Sequence, residues 1–225
     1  MLSINTIVVP QGAEYQAVCR GLQKAGVDCL NDLEIIAVPI GTKFVDRFLA
    51  DYAEEFRSST GILIVGLCGS LTDVHSVGDS VLVESCKNLN RSLLHLNSNL
   101  TATIQQKLSL KTVAGVTSDR IITQTQEKLA LAQEYNAMIV EMEGYGYISK
   151  LQQRKMSVAM LRVVSDDADG NIPDLNSAID DRGNLKTLPM AIAMLKQPLA
   201  AIRLIKGSLT GLKALEQIMA ELFTE

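Results

Sequence analysis

Short apolar runs followed by Gly, Pro or acidic residues recur along the first three quarters of the chain. Most are rich in β-branched residues, which is typical of buried strands. The segments between several of them carry apolar residues three or four positions apart, which predicts helices packed on a sheet. Strands are predicted at 4–9, 34–40, 61–65, 80–84, 111–116, 138–140 and 157–164. Helices are predicted at 13–24, 127–135, 187–195 and 199–204, and by the stripe of Phe44, Phe48 and Tyr52. The alternation predicts an α/β fold.

Composition limits the class of protein. The chain has 225 residues, of which 47% are apolar and 20% are charged, as expected for a globular protein. It contains neither an internal repeat nor a linker, so we expect a single domain at 1–225. The net charge is −4 and basic residues do not cluster with aromatic ones, which argues against a nucleic-acid partner.

The cysteines and the apolar stretches indicate where such a protein works. The four cysteines show no metal-type or disulfide-type spacing, which favours a reducing cytoplasm. They are Cys19, Cys29, Cys68 and Cys86. The N-terminus lacks the pattern of a signal peptide. The longest apolar stretch, 188–205, is interrupted by Lys196, Pro198 and Arg203, so we expect no integral membrane span.

Two acidic clusters follow predicted strands. Glu141 and Glu143 follow the run 138–140, and Asp166 begins the acidic part of a loop after the run 157–164. In open α/β sheets ligands bind outside the carboxyl ends of strands, where carboxylates can accept hydroxyl protons or deliver a proton. Acidic residues at such places are also typical of turns and helix caps. The residues alone therefore leave both interpretations open.

The motif Val-Glu-Met-Glu-Gly at 140–144, followed by Ser-Asp-Asp-Ala-Asp at 165–169, resembles the purine nucleoside phosphorylase and nucleosidase superfamily. That superfamily includes the methylthioadenosine/S-adenosylhomocysteine nucleosidases. The stretch 115–206 is most similar to hopanoid-associated phosphorylases, which are proposed to release adenine from an adenosylated hopanoid. The resemblance implies a three-layer αβα, phosphorylase/hydrolase-like fold with a central mixed sheet. It also implies a homodimer or higher homo-oligomer that needs no metal and no organic cofactor.

The resemblance assigns roles to individual residues. Asp166 would donate a proton to purine N7, and Glu14 would activate the attacking water. Glu143 would bind the ribose hydroxyls, and Met142 would pack on the sugar. Further substrate-binding residues implied by the resemblance are Ile121, Ile122, Glu141, Ser165, Gly66, Cys68 and Gly69. The segment around Gly66 is expected to be a glycine-rich turn. It departs from the superfamily pattern, because Ile64 stands where phosphorylases usually place an arginine and Leu67 where a small hydroxyl residue is common.

These expectations combine into a predicted activity. The chain would hydrolyse the N-glycosidic bond of an adenosine-type purine nucleoside with an apolar 5′ substituent, such as methylthioadenosine or adenosylhopane. Water is the expected nucleophile, because the carboxylate of Glu14 occupies a place where phosphorylases carry arginine and would repel phosphate. The alternatives are a phosphate-dependent purine nucleoside phosphorylase and a non-catalytic nucleoside-binding protein. The apolar helices at 188–222 could contact the substituent, cover the sheet or form a subunit interface.

Overall fold

The computed structural model describes residues 4–27, 33–51, 56, 61–180 and 186–224. Within these residues, eight strands form one sheet that is flanked by seven helices. The strands are β1 (Thr6–Pro10), β2 (Glu34–Val38), β3 (Gly61–Ser70), β4 (Ser80–Asn88), β5 (Leu93–His95), β6 (Lys111–Thr117), β7 (Ile139–Glu141) and β8 (Ser157–Asp166). The helices are α1 (Ala13–Lys24), α2 (Val45–Asp51), α3 (Ser98–Leu108), α4 (Thr125–Tyr135), α5 (Gly144–Gln153), α6 (Thr187–Lys196) and α7 (Pro198–Phe223). None of the helices in the described ranges has the length and apolar character needed to cross a membrane.

The sheet is mixed and partly closed. Its order is β2-β1-β3-β7-β6-β4-β5, and β8 pairs with both β3 and β4. The pairings β3–β8–β4–β6–β7–β3 therefore form a ring, which β1 and β2 extend on one side. The pairs β3–β8, β4–β6 and β6–β7 are parallel, whereas β4–β8 and β3–β7 are antiparallel. The mixed sheet expected from the resemblance is confirmed.

Helices cover both faces of the sheet, so the three-layer arrangement is also confirmed. Alternate residues of one strand enter opposite cores, as the period of a strand requires. Ile64 of β3 packs in a core that includes Tyr147 of α5. Leu63 of the same strand packs in the other core, with Leu22 of α1 and Met219 of α7. Helices α1 and α7 therefore pack on β3 and on β8, the strand that ends in Asp166.

Several predicted boundaries change. The segment 66–70 is not a turn: β3 continues to Ser70, because it pairs with β8 as far as Gly69 and with β7 at Gly69 and Ser70. Between residues 87 and 111, where the sequence pattern predicts no element, β5 and α3 form, and the side chain of Asn97 caps α3 by accepting from the Leu100 N–H at 2.9 Å. Pro198 begins the long helix α7. Cys29 and Tyr52 lie outside the described residues.

Candidate active site

A cavity of about 160 Å³ lies where β3, β7 and β8 end, beside the start of α1. It brings together residues from segments far apart in the sequence. Every site residue predicted from the sequence lines it except Gly66. These lining residues are Glu14, Cys68, Gly69, Ile121, Ile122, Glu141, Met142, Glu143, Ser165 and Asp166.

Arg162 is the central residue that sequence reasoning missed. It lies in β8, and its side chain is 1% exposed. Its Nη2 atom donates to Glu141 Oε2 at 2.5 Å and lies 3.9 Å from Glu143 Oε2. Its Nε and Nη1 atoms have no hydrogen-bond partner among the described residues. Burial opposes the charge of Arg162, but the carboxylates of Glu141, Glu143 and Glu14 raise its pKa.

Both oxygens of the Glu141 carboxylate accept hydrogen bonds from other groups of the protein. The Thr117 hydroxyl donates to Oε1, while the backbone N–H groups of Glu143 and Gly144 donate to Oε2 at 3.0 and 2.6 Å. With Arg162 added, both oxygens of this carboxylate are engaged. Glu141 therefore fixes the turn that begins α5 and presents the next carboxylate to the cavity.

Glu143 keeps one oxygen toward the cavity. Its Oε1 atom accepts from the Gly41 N–H at 3.0 Å, and its Oε2 atom has Arg162 at 3.9 Å. Gly41 has φ of 98°, a conformation that favours glycine and aims this N–H at the carboxylate. Burial, reinforced by the neighbouring charge of Glu141, raises the pKa of Glu143 to about 8. This carboxyl can therefore change its protonation state near neutral pH.

Glu14 lies in the first turn of α1, as predicted. Its Oε1 atom accepts from the Leu67 N–H at 2.6 Å. Burial raises the pKa of Glu14, against the opposing effects of this hydrogen bond and of Arg162. A carboxyl with a raised pKa beside an incompletely paired arginine is a suitable base for a small polar nucleophile.

Asp166, the last residue of β8, is paired with a second buried cation that sequence reasoning missed. Lys128 of α4 is fully buried, and its Nζ atom contacts both Asp166 Oδ2 and the Asp167 carbonyl. The Ser165 hydroxyl lies 3.4 Å from the other oxygen of Asp166. Burial raises the pKa of Asp166, while Lys128 acts to lower it. Lys128 therefore holds the Asp166 carboxyl in place, while burial favours the protonated form of that carboxyl.

Two glycines of β3 make room for these charged groups. The register of β3 and β8 places Gly66 opposite Arg162 and Gly69 opposite Asp166. A side chain at Gly66 would collide with Arg162 Nη1 and would lie 2.9 Å from Glu14 Oε1, whereas one at Gly69 would lie 3.0 Å from Asp166 Oδ2. Gly66 does not line the cavity, but its lack of a side chain leaves room for Arg162 and Glu14. We call Arg162, Glu14, Glu141 and Glu143 the arginine cluster, and Lys128 with Asp166 the lysine pair.

Cys68, which also lines the cavity, is buried. Burial raises the pKa of the Cys68 thiol, which keeps it protonated. Cys19, Cys68 and Cys86 are all free. In the described part of the chain, His, Cys, Asp and Glu side chains form no group of three or more that could hold a metal ion.

The sequence also matches the model of a known protein family. The model of the phosphorylase superfamily matches residues 35–195, which include both motifs and most of the cavity wall. The chain belongs to the phosphorylase superfamily. No curated protein matches its sequence.

Solved structures show the same fold as this superfamily member at low sequence identity. The 5′-methylthioadenosine/S-adenosylhomocysteine nucleosidase of Helicobacter pylori with butyl-thio-DADMe-Immucillin-A has a TM-score of 0.66 and 18% identity, over 96% of this chain and 97% of that one. The futalosine hydrolase of Helicobacter pylori has a TM-score of 0.65 and 18% identity, with 96% and 97% covered. The 5′-methylthioadenosine nucleosidase of Arabidopsis thaliana has a TM-score of 0.63 and 17% identity, with 97% and 93% covered.

Proposed function

We propose that this protein hydrolyses the N-glycosidic bond of an adenosine-type purine nucleoside that carries an apolar 5′ substituent. One observation carries the proposal: a single cavity is lined by carboxyls of both the arginine cluster and the lysine pair. Gly66 and Gly69, which face the two groups, are three residues apart on β3, or roughly 10 Å. That separation suits a nucleoside whose sugar meets one group and whose base meets the other.

At the lysine pair, Asp166 would protonate the leaving base. Breaking the bond between sugar C1′ and purine N9 sends the electron pair to the base, so a proton on N7 stabilises the departing group. This role requires a carboxyl that holds a proton near neutral pH, which the raised pKa of Asp166 favours. Lys128 keeps the carboxyl in place and compensates its charge after the proton has left.

At the arginine cluster, the carboxylates would stabilise positive charge on the sugar. Three carboxyls surround one guanidinium there, so the cluster carries an excess of negative charge when all three are ionised. The Oε2 atom of Glu143, which has Arg162 at 3.9 Å, can accept a hydrogen bond from a ribose hydroxyl, and its attraction to the sugar grows as C1′ becomes cationic. Glu14 would take a proton from the water that attacks C1′, which yields the free base and a sugar with a hydroxyl at C1′.

The same charges favour water over phosphate as the nucleophile. Phosphate carries about two negative charges and needs arginine forks or several N–H donors to balance it. Arg162 is the buried guanidinium of the cluster, and it already faces Glu14, Glu141 and Glu143. Its charge is thus already balanced by carboxyls and does not attract a further anion, so a neutral water is the better match for this side of the cavity.

An apolar 5′ substituent is supported by the lining and by a related structure. Four isoleucines, Ile40, Ile121, Ile122 and Ile172, contribute to the cavity wall. The Helicobacter pylori nucleosidase of similar fold was solved with a ligand that carries a butylthio group. Each CH₂ that becomes buried on binding would add about 0.8 kcal/mol, so k_cat/K_M should rise along a series of longer 5′ groups.

The test is a panel of adenosine, inosine, methylthioadenosine and a long-alkyl 5′-thio analogue, read by release of free base with and without phosphate. We expect release in phosphate-free buffer, with the apolar analogues preferred over adenosine. Base release that depends strictly on phosphate and gives a ribose 1-phosphate would replace the proposal with the phosphorylase alternative. Binding of the nucleosides without release of base would replace it with the non-catalytic alternative.

The phosphorylase alternative rests on one specific observation. Arg120 also lines the cavity, although its guanidinium pairs with Glu127. If phosphate were the nucleophile, Arg120→Gln would raise the K_M for phosphate. If water is the nucleophile, the same variant should leave the rate in phosphate-free buffer almost unchanged.

A further inference from the structure

Helix α7 is apolar on two opposite sides. Its inner side, which includes Ala201, Leu215 and Met219, is buried against the sheet layer. Its outer side carries large apolar residues that remain exposed: Leu199 at 83%, Ile202 at 51%, Ile205 at 45% and Leu209 at 64%. At about 100° per residue, these four lie within an arc of about 120° on the side opposite the buried residues. Packing on the sheet therefore does not explain these four large apolar side chains of α7.

Helix α6 extends this apolar surface. Leu188 and Leu195 are 72% and 81% exposed, and Ile192 is also exposed. The two helices are consecutive and contact each other. We call the combined surface the outer face; it consists of Leu188, Ile192, Leu195, Leu199, Ile202, Ile205 and Leu209. Seven exposed large apolar side chains on two consecutive helices that contact each other are typical of an interaction surface rather than of ordinary solvent-exposed surface.

The charges around the outer face identify its partner. Residues 186–215 contain five of the chain's basic residues and none of its acidic residues, although the whole chain has a net charge of −4. Lys206 and Lys213 fall within the same arc of α7 as the exposed apolar residues. Arg203 is the exception, because it pairs with Asp167 at the edge of the candidate active site. A surface that is apolar and basic at once matches an anionic lipid bilayer.

A second copy of the chain is a poorer match for this surface. A symmetric contact would bring two lysine-bearing faces together, with no acidic side chain of 186–215 to balance them. We propose that the outer face docks on the surface of an anionic membrane, with α6 and α7 lying flat at the level of the lipid headgroups.

Helix α7, and the segment that packs on α6, also contact residues that line the cavity. Gly207 of α7 allows such close approach that a side chain there would collide with the Ser165 carbonyl. Asn176, in the segment that packs on α6, accepts from the Ile121 N–H at 2.7 Å and donates to the Ile121 carbonyl at 3.0 Å. Docking would thus hold the rim of the cavity next to the bilayer. This consequence, unlike the docking itself, rests on the proposed function: a nucleoside with a long apolar 5′ group would reach the site from the lipid phase.

The docking is tested by co-sedimentation of the full chain with vesicles of phosphatidylcholine alone or with 30% phosphatidylglycerol added. We expect binding to the anionic vesicles only, and weaker binding as salt is raised. Each lysine near such a surface contributes about fivefold to partitioning, so Lys206→Gln with Lys213→Gln should bind about 25-fold more weakly. Lys111→Gln with Lys150→Gln makes the same change in charge elsewhere and should bind as the wild type does.

The apolar contribution is tested with Leu199→Gln, Ile202→Gln and Leu209→Gln combined. Its matched control is Leu89→Gln, Leu93→Gln and Leu129→Gln, which removes three exposed leucines outside the outer face. We expect only the first variant to lose binding, and we expect both to hydrolyse methylthioadenosine in solution at the wild-type rate. Absence of binding to anionic vesicles would overturn the proposal. A stable dimer that only the outer-face variant dissociates would overturn it in favour of a subunit interface. Failure of hydrolysis in every variant would instead count against the proposed function.

Discussion

Both charged groups of the cavity place a carboxyl beside a buried cation, but they differ in the ratio of carboxyls to cations. The arginine cluster surrounds one buried guanidinium with three carboxyls, whereas the lysine pair matches one ammonium to one carboxyl. In each, a cation supplied by the framework positions a carboxyl that lines the cavity. Burying a charge without such a partner would cost several kcal/mol, so both cations are needed for the carboxyls to lie there at all.

This difference in the ratio of carboxyls to cations distinguishes the roles proposed for the arginine cluster and the lysine pair. An excess of carboxyls favours positive charge on a bound sugar and disfavours an anionic nucleophile. A one-to-one pair has no such excess, and its carboxyl can donate a proton to a base. Removing each cation, and each carboxyl that it positions, therefore tests whether the two groups work as different halves of one site.

The largest effect is expected for Arg162→Met. It leaves the buried carboxyls of Glu14, Glu141 and Glu143 without a cation, so the free energy of unfolding should fall by about 3–5 kcal/mol and base release should be lost. Urea denaturation measures the first quantity. Arg20→Met is the matched control: Arg20 forms an exposed ion pair with Glu216, which is expected to contribute about 0–1 kcal/mol. Similar losses in both variants would mean that the arginine cluster has no special role in stability.

Asp166→Asn should give the next largest effect, and most of it should fall on the chemistry. Loss of a positioned general acid typically lowers k_cat by about 10²–10⁴-fold, and the amide preserves the shape of the side chain. Asp167→Asn is the control on the adjacent residue, whose carboxylate pairs with Arg203 outside the cavity. We expect Asp167→Asn to keep nearly the wild-type kcat and melting temperature, and Asp166→Asn to fold but to melt at a lower temperature, because the buried Lys128 loses its carboxylate partner. Near wild-type turnover in Asp166→Asn would remove the proton-donor assignment.

Sequence reasoning found the carboxyls of both groups but neither of their cations. Acidic residues that follow an apolar run are visible as strand ends, and Glu14 follows a strand in the same way. Arg162 instead lies inside the apolar run of β8, and Lys128 lies in a helix whose neighbours Gln126 and Glu127 indicate a solvent-exposed face. Both pair with residues at least 19 positions away, so only the register of the strands and the placement of α4 reveal them.

Pairing with residues distant in the sequence also explains why the prediction of a turn after Gly66 is wrong. Two glycines among small residues are typical of a turn, which is what the local sequence predicts. In the fold these glycines face Arg162 and Asp166 across the β3–β8 pair, and their lack of side chains is what lets a continuous strand pass two charged groups. The glycines alone could predict that another group approaches the backbone closely at these positions. They could not predict that the approaching groups are Arg162 and Asp166.

Glu143→Gln tests the excess of carboxyls at the arginine cluster. The pKa of Glu143 is about 8 in the folded protein and about 4.3 in an unfolded chain. The folded state therefore binds more protons between these values, and the associated stability, complete below about pH 4, is lost as the pH rises through 8. The variant cannot ionise, so its free energy of unfolding should decline less than that of the wild type between pH 5 and 8.

The difference in that decline should exceed about 1.4 kcal/mol, the equivalent of one pKa unit. The same variant should lose k_cat more than substrate affinity, because its contact with the sugar is proposed to strengthen in the transition state. Glu134→Gln is the control, since Glu134 pairs with Arg91 at the surface. An identical pH dependence in Glu143→Gln and the wild type would show that Glu143 does not hold a proton in the folded protein.

The smallest effect, and the most specific, is expected for Lys128→Met. Lys128 acts to lower the pKa of Asp166, so its removal should raise that pKa. Because the proposed acid must be protonated, activity falls above its pKa, and the alkaline limb of the k_cat profile should move to higher pH. Loss of the contact that positions the carboxyl should also lower k_cat at neutral pH, by about tenfold if it removes only part of the general-acid contribution. Lys87→Met is the control, because Lys87 donates to a backbone carbonyl, that of Tyr135, at 2.7 Å. A lysine that serves the fold alone would lower the melting temperature and leave the alkaline limb in place, and that result would separate Lys128 from the chemistry of Asp166.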